Sequence, residues 1–188
     1  MHLENWMYWG GGFILLMLVI MMYNSLIGRK NMVENMYGAV DALLKKRVDM
    51  IPNLIASVKE YMKHERDLLT KITELRTQIL QTTDENQKIE LESRLSGYLK
   101  NLMVNVENYP QLRASENFIQ LQNAIKDVED QISAARRAYN QAVTDYNNAI
   151  EMFPTNLMAL MMGWQRKKVF EIPEDERKNI NVSDYFKE

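Results

Sequence analysis

Glu60, His64 and Asp67, with Glu65 next to the histidine, are the residues of this chain closest to a metal-binding pattern. A zinc-protease helix sets a second His four residues after the first so that both imidazoles share a face, but position 68 is Leu. Three mixed ligands on one exposed helix make a poor closed site, so the run reads as a solvated polar face and no metal is expected. No serine has a histidine at a spacing that suggests a nucleophile and its base. Gly10, Gly11 and Gly12 precede no Gly-Lys-Ser/Thr and cradle no phosphate. No catalytic residue and no cofactor site is expected, and the chain does not read as an enzyme.

The remaining polar and aromatic features read as recognition or packing. Lys45-Lys46-Arg47 beside Asp49 is the sharpest charge cluster. Its plain reading is a solvated, salt-bridged face next to a capping Asp; the functional reading is attraction to anionic lipid. A helical stalk of about 20 residues would put Lys45 some 30 Å from a bilayer, beyond the reach of unscreened attraction, so Arg29 and Lys30 are better placed. In MALMMGWQRKKVF, Met158 to Phe170, Trp164 stands beside Arg166, Lys167 and Lys168. The segment reads first as a closing helix with Met as filler, and second as a lipid-contacting or partner-binding helix. Tyr139-Asn140 and Tyr146-Asn147 lie one heptad apart, so both tyrosines face one seam and need partners for their hydroxyls.

The elements that position these residues follow from apolar spacing. From Trp6 to Leu26 there is no Lys, Arg, Asp or Glu, and about 20 apolar residues suffice to cross a hydrocarbon core as a helix. A cleavable signal starts basic and ends at small residues; here Glu4 precedes the run and Met21, Met22 and Tyr23 close it, so an uncleaved anchor is expected. Trp6, Tyr8, Trp9, Phe13 and Tyr23 are the expected span and belt aromatics, and Arg29 and Lys30 after the run predict an N-terminus facing out with the bulk of the chain in the cytoplasm. The 188 residues include 25 acidic and 23 basic ones, a balance that gives no electrostatic reason to expect nucleic acid. There is no cysteine, which excludes disulfides and thiolate metal sites. Few prolines and glycines mean long elements, and Leu, Met, Ala, Gln, Glu and Lys make those elements helices.

After the anchor, apolar residues recur at helical spacing, mostly in steps of three and four: Val33, Tyr37, Val40, Leu44, Val48, Ile51, Ile55, Val58, Met62, Leu69, Ile72, Ile79. Pro52 falls inside this run. Either it kinks one helix, or Asp49 caps a new helix with Pro52 in its first turn. Gln81 to Asp84 is a polar turn. A second stripe runs from Leu91 through Leu95, Leu99 and Leu102 to Val106, stopping at Tyr109-Pro110. Past a loop from Gln111 to Ser115 comes the longest heptad: Phe118, Leu121, Ile125, Val128, Ile132, Ala135, Tyr139, Ala142, Tyr146, with Ile150 and Phe153 following before Pro154 ends it. The predicted organisation is a head at 1–5, a span at 6–26, and an all-α, elongated antiparallel helical bundle at 27–171. Its helices are expected near 27–50, 51–81, 84–108, 115–152 and 155–170, with a polar tail at 172–188.

Taken together, these residues resemble the LemA family of bacterial membrane-anchored helical proteins. The resemblance is densest at Leu44-Lys45-Lys46-Arg47-Val48-Asp49-Met50-Ile51-Pro52-Asn53-Leu54. It continues through Tyr61, His64-Glu65, Arg76, Glu107-Asn108-Tyr109-Pro110 and Asn117-Phe118 to Arg136-Arg137-Ala138-Tyr139-Asn140, Tyr146-Asn147 and Phe153-Pro154. Met36 and Tyr37 depart from it, where the family more often has a small residue followed by Trp. The resemblance implies a four-helix bundle, which favours a break at Pro52, and supplies no mechanism. A relative in magnetosome-forming bacteria implies, by analogy, a part in organising membranes. The expected function is a non-enzymatic scaffold at the bacterial inner membrane, a single-pass protein that self-associates as a homo-oligomer or recruits another membrane protein. The alternative is a membrane-organising protein touching anionic lipid through Arg29, Lys30, Trp164, Arg166, Lys167 and Lys168. The lipid bilayer is a partner in both.

Overall fold

The computed structural model describes residues 2–170; Met1 and the tail expected at 172–188 lie outside the described residues. The chain is all-α, with no strand among the described residues. Its helices are α1 (His2–Val58), α2 (Arg66–Gln81), α3 (Glu85–Val106), α4 (Pro110–Arg113), α5 (Glu116–Glu151) and α6 (Thr155–Met161), with a 3-10 turn at Lys63–Glu65 before α2. They form two compact units, 1–42 with 132–169 and 43–131 with Phe170.

In the unit built on 43–131, the end of α1, α2, α3 and the first half of α5 enclose one core. The predicted stripes are its content: Val48, Ile51 and Leu54 from α1, Ile72 and Ile79 from α2, Leu95, Leu99 and Leu102 from α3, and Phe118 and Ile125 from α5. Burying such side chains contributes about 1.5–3 kcal/mol each, which is why periodicity alone located them. α2 and α3 lie side by side, and they are antiparallel, since the Asn105 amide near the end of α3 donates to Glu65 Oε2 just before α2 (3.2 Å). Asp84 caps α3 as expected, accepting from the Gln87 N–H at 2.7 Å. The expected loop at 111–115 contains a helical turn, α4, with Pro110 in its first turn, where a missing N–H costs nothing.

The break expected at Pro52 is not there. α1 runs through Pro52 and ends at Val58. The chain then turns through Lys59–Met62, with the Met62 N–H donating to Val58 O at 2.9 Å. Asp49 is therefore an exposed residue within α1 and caps nothing. A proline inside a helix leaves the carbonyl four residues earlier without its donor. That carbonyl is Val48 O, and Arg76 of α2 donates to it through Nε at 3.2 Å. The side chain of one helix thus replaces the backbone N–H that the other lacks.

In the unit built on 1–42 and 132–169, α1 and α5 run antiparallel. The Tyr37 and Tyr139 rings are 6.0 Å apart, and Arg29 Nη1 donates to the Asp145 carbonyl at 3.3 Å. Leu26, Val33 and Val40 are buried on one side, and Ile132, Tyr139, Val143, Tyr146 and Ile150 on the other. The final helix expected over 155–170 stops at Met161. Gly163, at φ 65°, takes the left-handed position past the helix end. The Trp164 N–H donates to Ala159 O (3.0 Å) and the Gly163 N–H to Leu160 O (3.1 Å), the paired bonds of a Schellman stop. Residues 164–170 are not helical.

The proline repair has a measurable consequence. Arg76→Met is expected to lower stability by about 1–3 kcal/mol, because it leaves a buried carbonyl unpaired. In a Pro52→Ala background, where residue 52 again supplies an N–H to Val48 O, the same change is expected to cost less. Urea denaturation of the four-member mutant cycle measures that coupling, and equal losses in both backgrounds contradict the repair.

Candidate membrane-contact site

The first part of α1 presents apolar side chains in all directions. From Trp6 to Ser25 every described side chain is exposed except Met22, which is half-buried; Leu26 is the first to be covered completely. Among the described residues this is the one helix long and apolar enough to cross a membrane. Trp6, Tyr8 and Trp9 cluster at one end of the run, with Phe13 inside it and Tyr23 at the other end, all exposed. Their spacing follows from α1 being a single helix: Trp6 to Tyr23 is 17 residues, about 25 Å of rise.

Of the residues predicted to meet lipid, Lys30 and Trp164 come together, and Lys30, Trp164 and Arg166 each have a partner inside the molecule. The Lys30 ammonium lies 5.6 Å from the centre of the Trp164 ring and 3.9 Å from Glu34 Oε1. Trp164 is half-buried, its ring 6.0 Å from that of Tyr146. Arg166 pairs with Glu151 at 2.7 Å. Lys167 is half-buried, and Lys168 projects from the exposed side of the same segment.

That segment is fastened by the Tyr-Asn pairs. The Tyr139 hydroxyl donates to Lys168 O and the Tyr146 hydroxyl to Gln165 O, both at 3.2 Å. Asn147 makes two bonds to one residue: its amide donates to Lys167 O, and its carbonyl accepts the Lys167 N–H, both at 2.9 Å. Burial pushes the Tyr146 hydroxyl above its ordinary 10.0, which favours its neutral, donating form still further. The tyrosines do face the seam as expected; their partners are backbone carbonyls of a non-helical strap, where an additional helix was expected. Asn147→Ala is expected to speed amide exchange at Lys167 and its neighbours, with α5 exchanging as before; unchanged exchange there contradicts the strap.

The basic cluster at 45–47 splits. Lys45 and Lys46 are exposed, but Arg47 is 1% exposed and is no part of a solvated face. Its guanidinium pairs with Glu92, itself 0% exposed, and with Glu129 at 2.6 Å. It also donates to Ser96 Oγ (2.6 Å) and to the Glu92 carbonyl (3.2 Å). One arginine of α1 therefore ties α3 and α5. Removing it strands the buried Glu92 carboxylate, so Arg47→Met is expected to cost about 3–5 kcal/mol. Arg47→Met combined with Glu92→Met is expected to regain most of that loss in thermal unfolding, and no recovery contradicts the pairing.

Glu60, His64 and Asp67 are exposed, and among the described residues no group of three or more His, Asp or Glu side chains is placed to hold a metal ion. An open groove of about 970 Å³ lies between the end of α1 and α2. Ile55 and Leu69 line it, and Lys59, Lys63 and Arg66 stand among Glu60 and Glu74, so it offers no field of one sign.

The fold and this site define a class: a helical-bundle protein whose first helix carries an uncovered apolar run of membrane-spanning length. The family model described as the LemA family matches residues 36–183, and the chain belongs to that family. It is 29% identical to Protein LemA of Metamycoplasma hominis over 162 residues, covering 86% of this chain and 74% of that one. It is also 32% identical over 73 residues to Magnetosome protein MamQ 2 of Paramagnetospirillum magneticum, and 31% identical over 72 residues to Magnetosome protein MamQ of Magnetospirillum gryphiswaldense. Those matches cover 39% and 38% of this chain, and 27% and 26% of the magnetosome proteins. An uncovered apolar helix in a chain of this family points to membrane association.

Proposed function

We propose that this chain is a non-enzymatic scaffold, held in a bacterial inner membrane by one span, that self-associates or recruits another membrane protein. One observation carries the reading. In α1 an uncharged, uncovered run passes without a break into a packed segment at Leu26, Val33 and Val40. A helix built this way fixes what is packed against it to the bilayer, which suits a protein whose work is contact. Arg29 and Lys30, against His2 and Glu4 at the other end, favour the packed part on the cytoplasmic side. A formal net charge of -2 gives little overall repulsion between copies and no overall attraction for nucleic acid.

In membranes holding the full-length chain, brief amine cross-linking followed by mild detergent extraction is expected to give a homo-oligomer or a complex with another membrane protein. Monomer alone, with nothing co-purifying, sinks the scaffold. Protease added to intact spheroplasts is expected to leave the bulk of the chain whole, and digestion of that bulk reverses the orientation.

A further inference from the structure

The seam of α5 is buried as far as Ile150 and then turns inside out. Phe153, the next residue in register, is 79% exposed, and Leu160 and Met161 of α6 are 80% and 87% exposed, with Met152 and Leu157 also uncovered. An exposed apolar cluster of this kind marks a contact surface. The sequence beneath it carries no charge: from Met152 to Gln165 there is no Lys, Arg, Asp or Glu. The flanking Glu151 is already paired with Arg166.

The register within this unit says what the cluster faces. Tyr37 lies by Tyr139 and Arg29 by Asp145, so each step forward along α5 is a step back along α1. Carried on at equal rise, Met152 and Phe153 come level with about Met21 to Tyr23. That is where the uncovered run of α1 begins, just beyond Leu26. α6 follows the corner directly, and Trp164 brings the chain back to Tyr146. Two uncharged, uncovered segments therefore meet at one level, one entering the expected span and the other ending beside it.

We infer that the corner of α5 and α6 is an interfacial foot, seating Phe153, Leu160 and Met161 in the phospholipid leaflet beside the span. The inference rests on the anchored reading of α1. Interfacial helices bury their apolar face about 5–10 Å into the boundary of headgroups and acyl chains, a depth that this register supplies without any rearrangement. The foot fixes the tilt of α1 at the bilayer surface, which a single span cannot do alone. The cations of the strap are distinct from it: the foot's contact is apolar and persists at high salt.

The chain has no cysteine, so single labels can be placed cleanly. Full-length Leu160→Cys and Met161→Cys proteins carry an environment-sensitive fluorophore in phosphatidylcholine–phosphatidylglycerol vesicles containing a lipid with a nitroxide high on its acyl chain. Both labels are expected to lose at least half of their emission, at low and high salt alike, while a label at Arg137→Cys, an exposed position earlier on α5 and away from the corner, keeps its own. A label at Leu16→Cys reports the span. Quenching at Leu16 without quenching at 160 and 161 overturns the foot and leaves the anchor standing. No quenching at Leu16 overturns both. Labels at 160 and 161 that are hidden from aqueous iodide yet untouched by the lipid nitroxide mean that protein covers the corner, which also overturns the foot. In a chain labelled at Phe153→Cys, Leu160→Glu with Met161→Glu is expected to abolish the lipid quenching. Both changed side chains are exposed, so the fold has no reason to respond.

Discussion

The hydrogen-bond ladder of α1 is the constraint to which everything else answers. A helix that crosses hydrocarbon must satisfy every backbone group from within itself, and α1 keeps that ladder from His2 to Val58 with one donor missing, at Pro52. The missing donor falls far past the apolar run, where another helix can reach it, and Arg76 does so. A proline in an exposed helix interior costs about 3 kcal/mol or more. Here part of that cost is offset by a charged donor from α2, which also fixes the register of α2 on α1. The helix stops six residues later, at Val58, where Met62 closes the core and the chain reverses.

A second constraint lies in the core of the unit built on 43–131. A guanidinium with almost no exposure is expensive to desolvate, and a buried ion pair seldom adds net stability over apolar packing. Its value is in discrimination. Leucines in heptads can slide by a turn and still find leucines, but the Arg47 Nη1 and Nη2 groups find partners only where Glu92, Ser96 and Glu129 converge. One residue therefore specifies how three helices align. Lys45 and Lys46, the two residues before it, have no such task and stay in water.

Much of this was legible in the sequence. The stripes from Val33 to Ile79, from Leu91 to Val106 and from Phe118 to Ile150 are the cores of the two units, because burial of apolar area dominates helix packing and leaves a periodic record. What periodicity cannot record is which polar residue inside a stripe is buried. Arg47 differs from Lys45 and Lys46 by one or two positions, and only the partners, 45 and 82 residues away, distinguish them. Pro52 was ambiguous for the same reason, since the group that makes it tolerable sits on another helix. The end of α6 was different: Gly163 is a local stop signal, and the Met-rich run before it outweighed that signal. Lys30 and Trp164 were named together as lipid contacts, but that they meet each other, and that Arg166 pairs with Glu151, was invisible in the sequence.

The strap at 164–170 shows how the unit on 1–42 and 132–169 manages without a further helix. A non-helical segment offers N–H and C=O groups that would be costly to bury unpaired, and there is no strand among the described residues to take them. Side chains at heptad spacing on α5 take them instead: the Tyr139 and Tyr146 hydroxyls each donate to a carbonyl, and Asn147 matches both groups of Lys167 as a neighbouring strand would. Tyrosine suits this because its ring packs in the seam while its hydroxyl reaches past it. The spacing of the Tyr-Asn pairs thus sets where the strap lies along α5. Together with the Gly163 stop, that decides where α6 must end, so the uncharged corner is held at the level of Met21 to Tyr23 by polar bonds made well away from it.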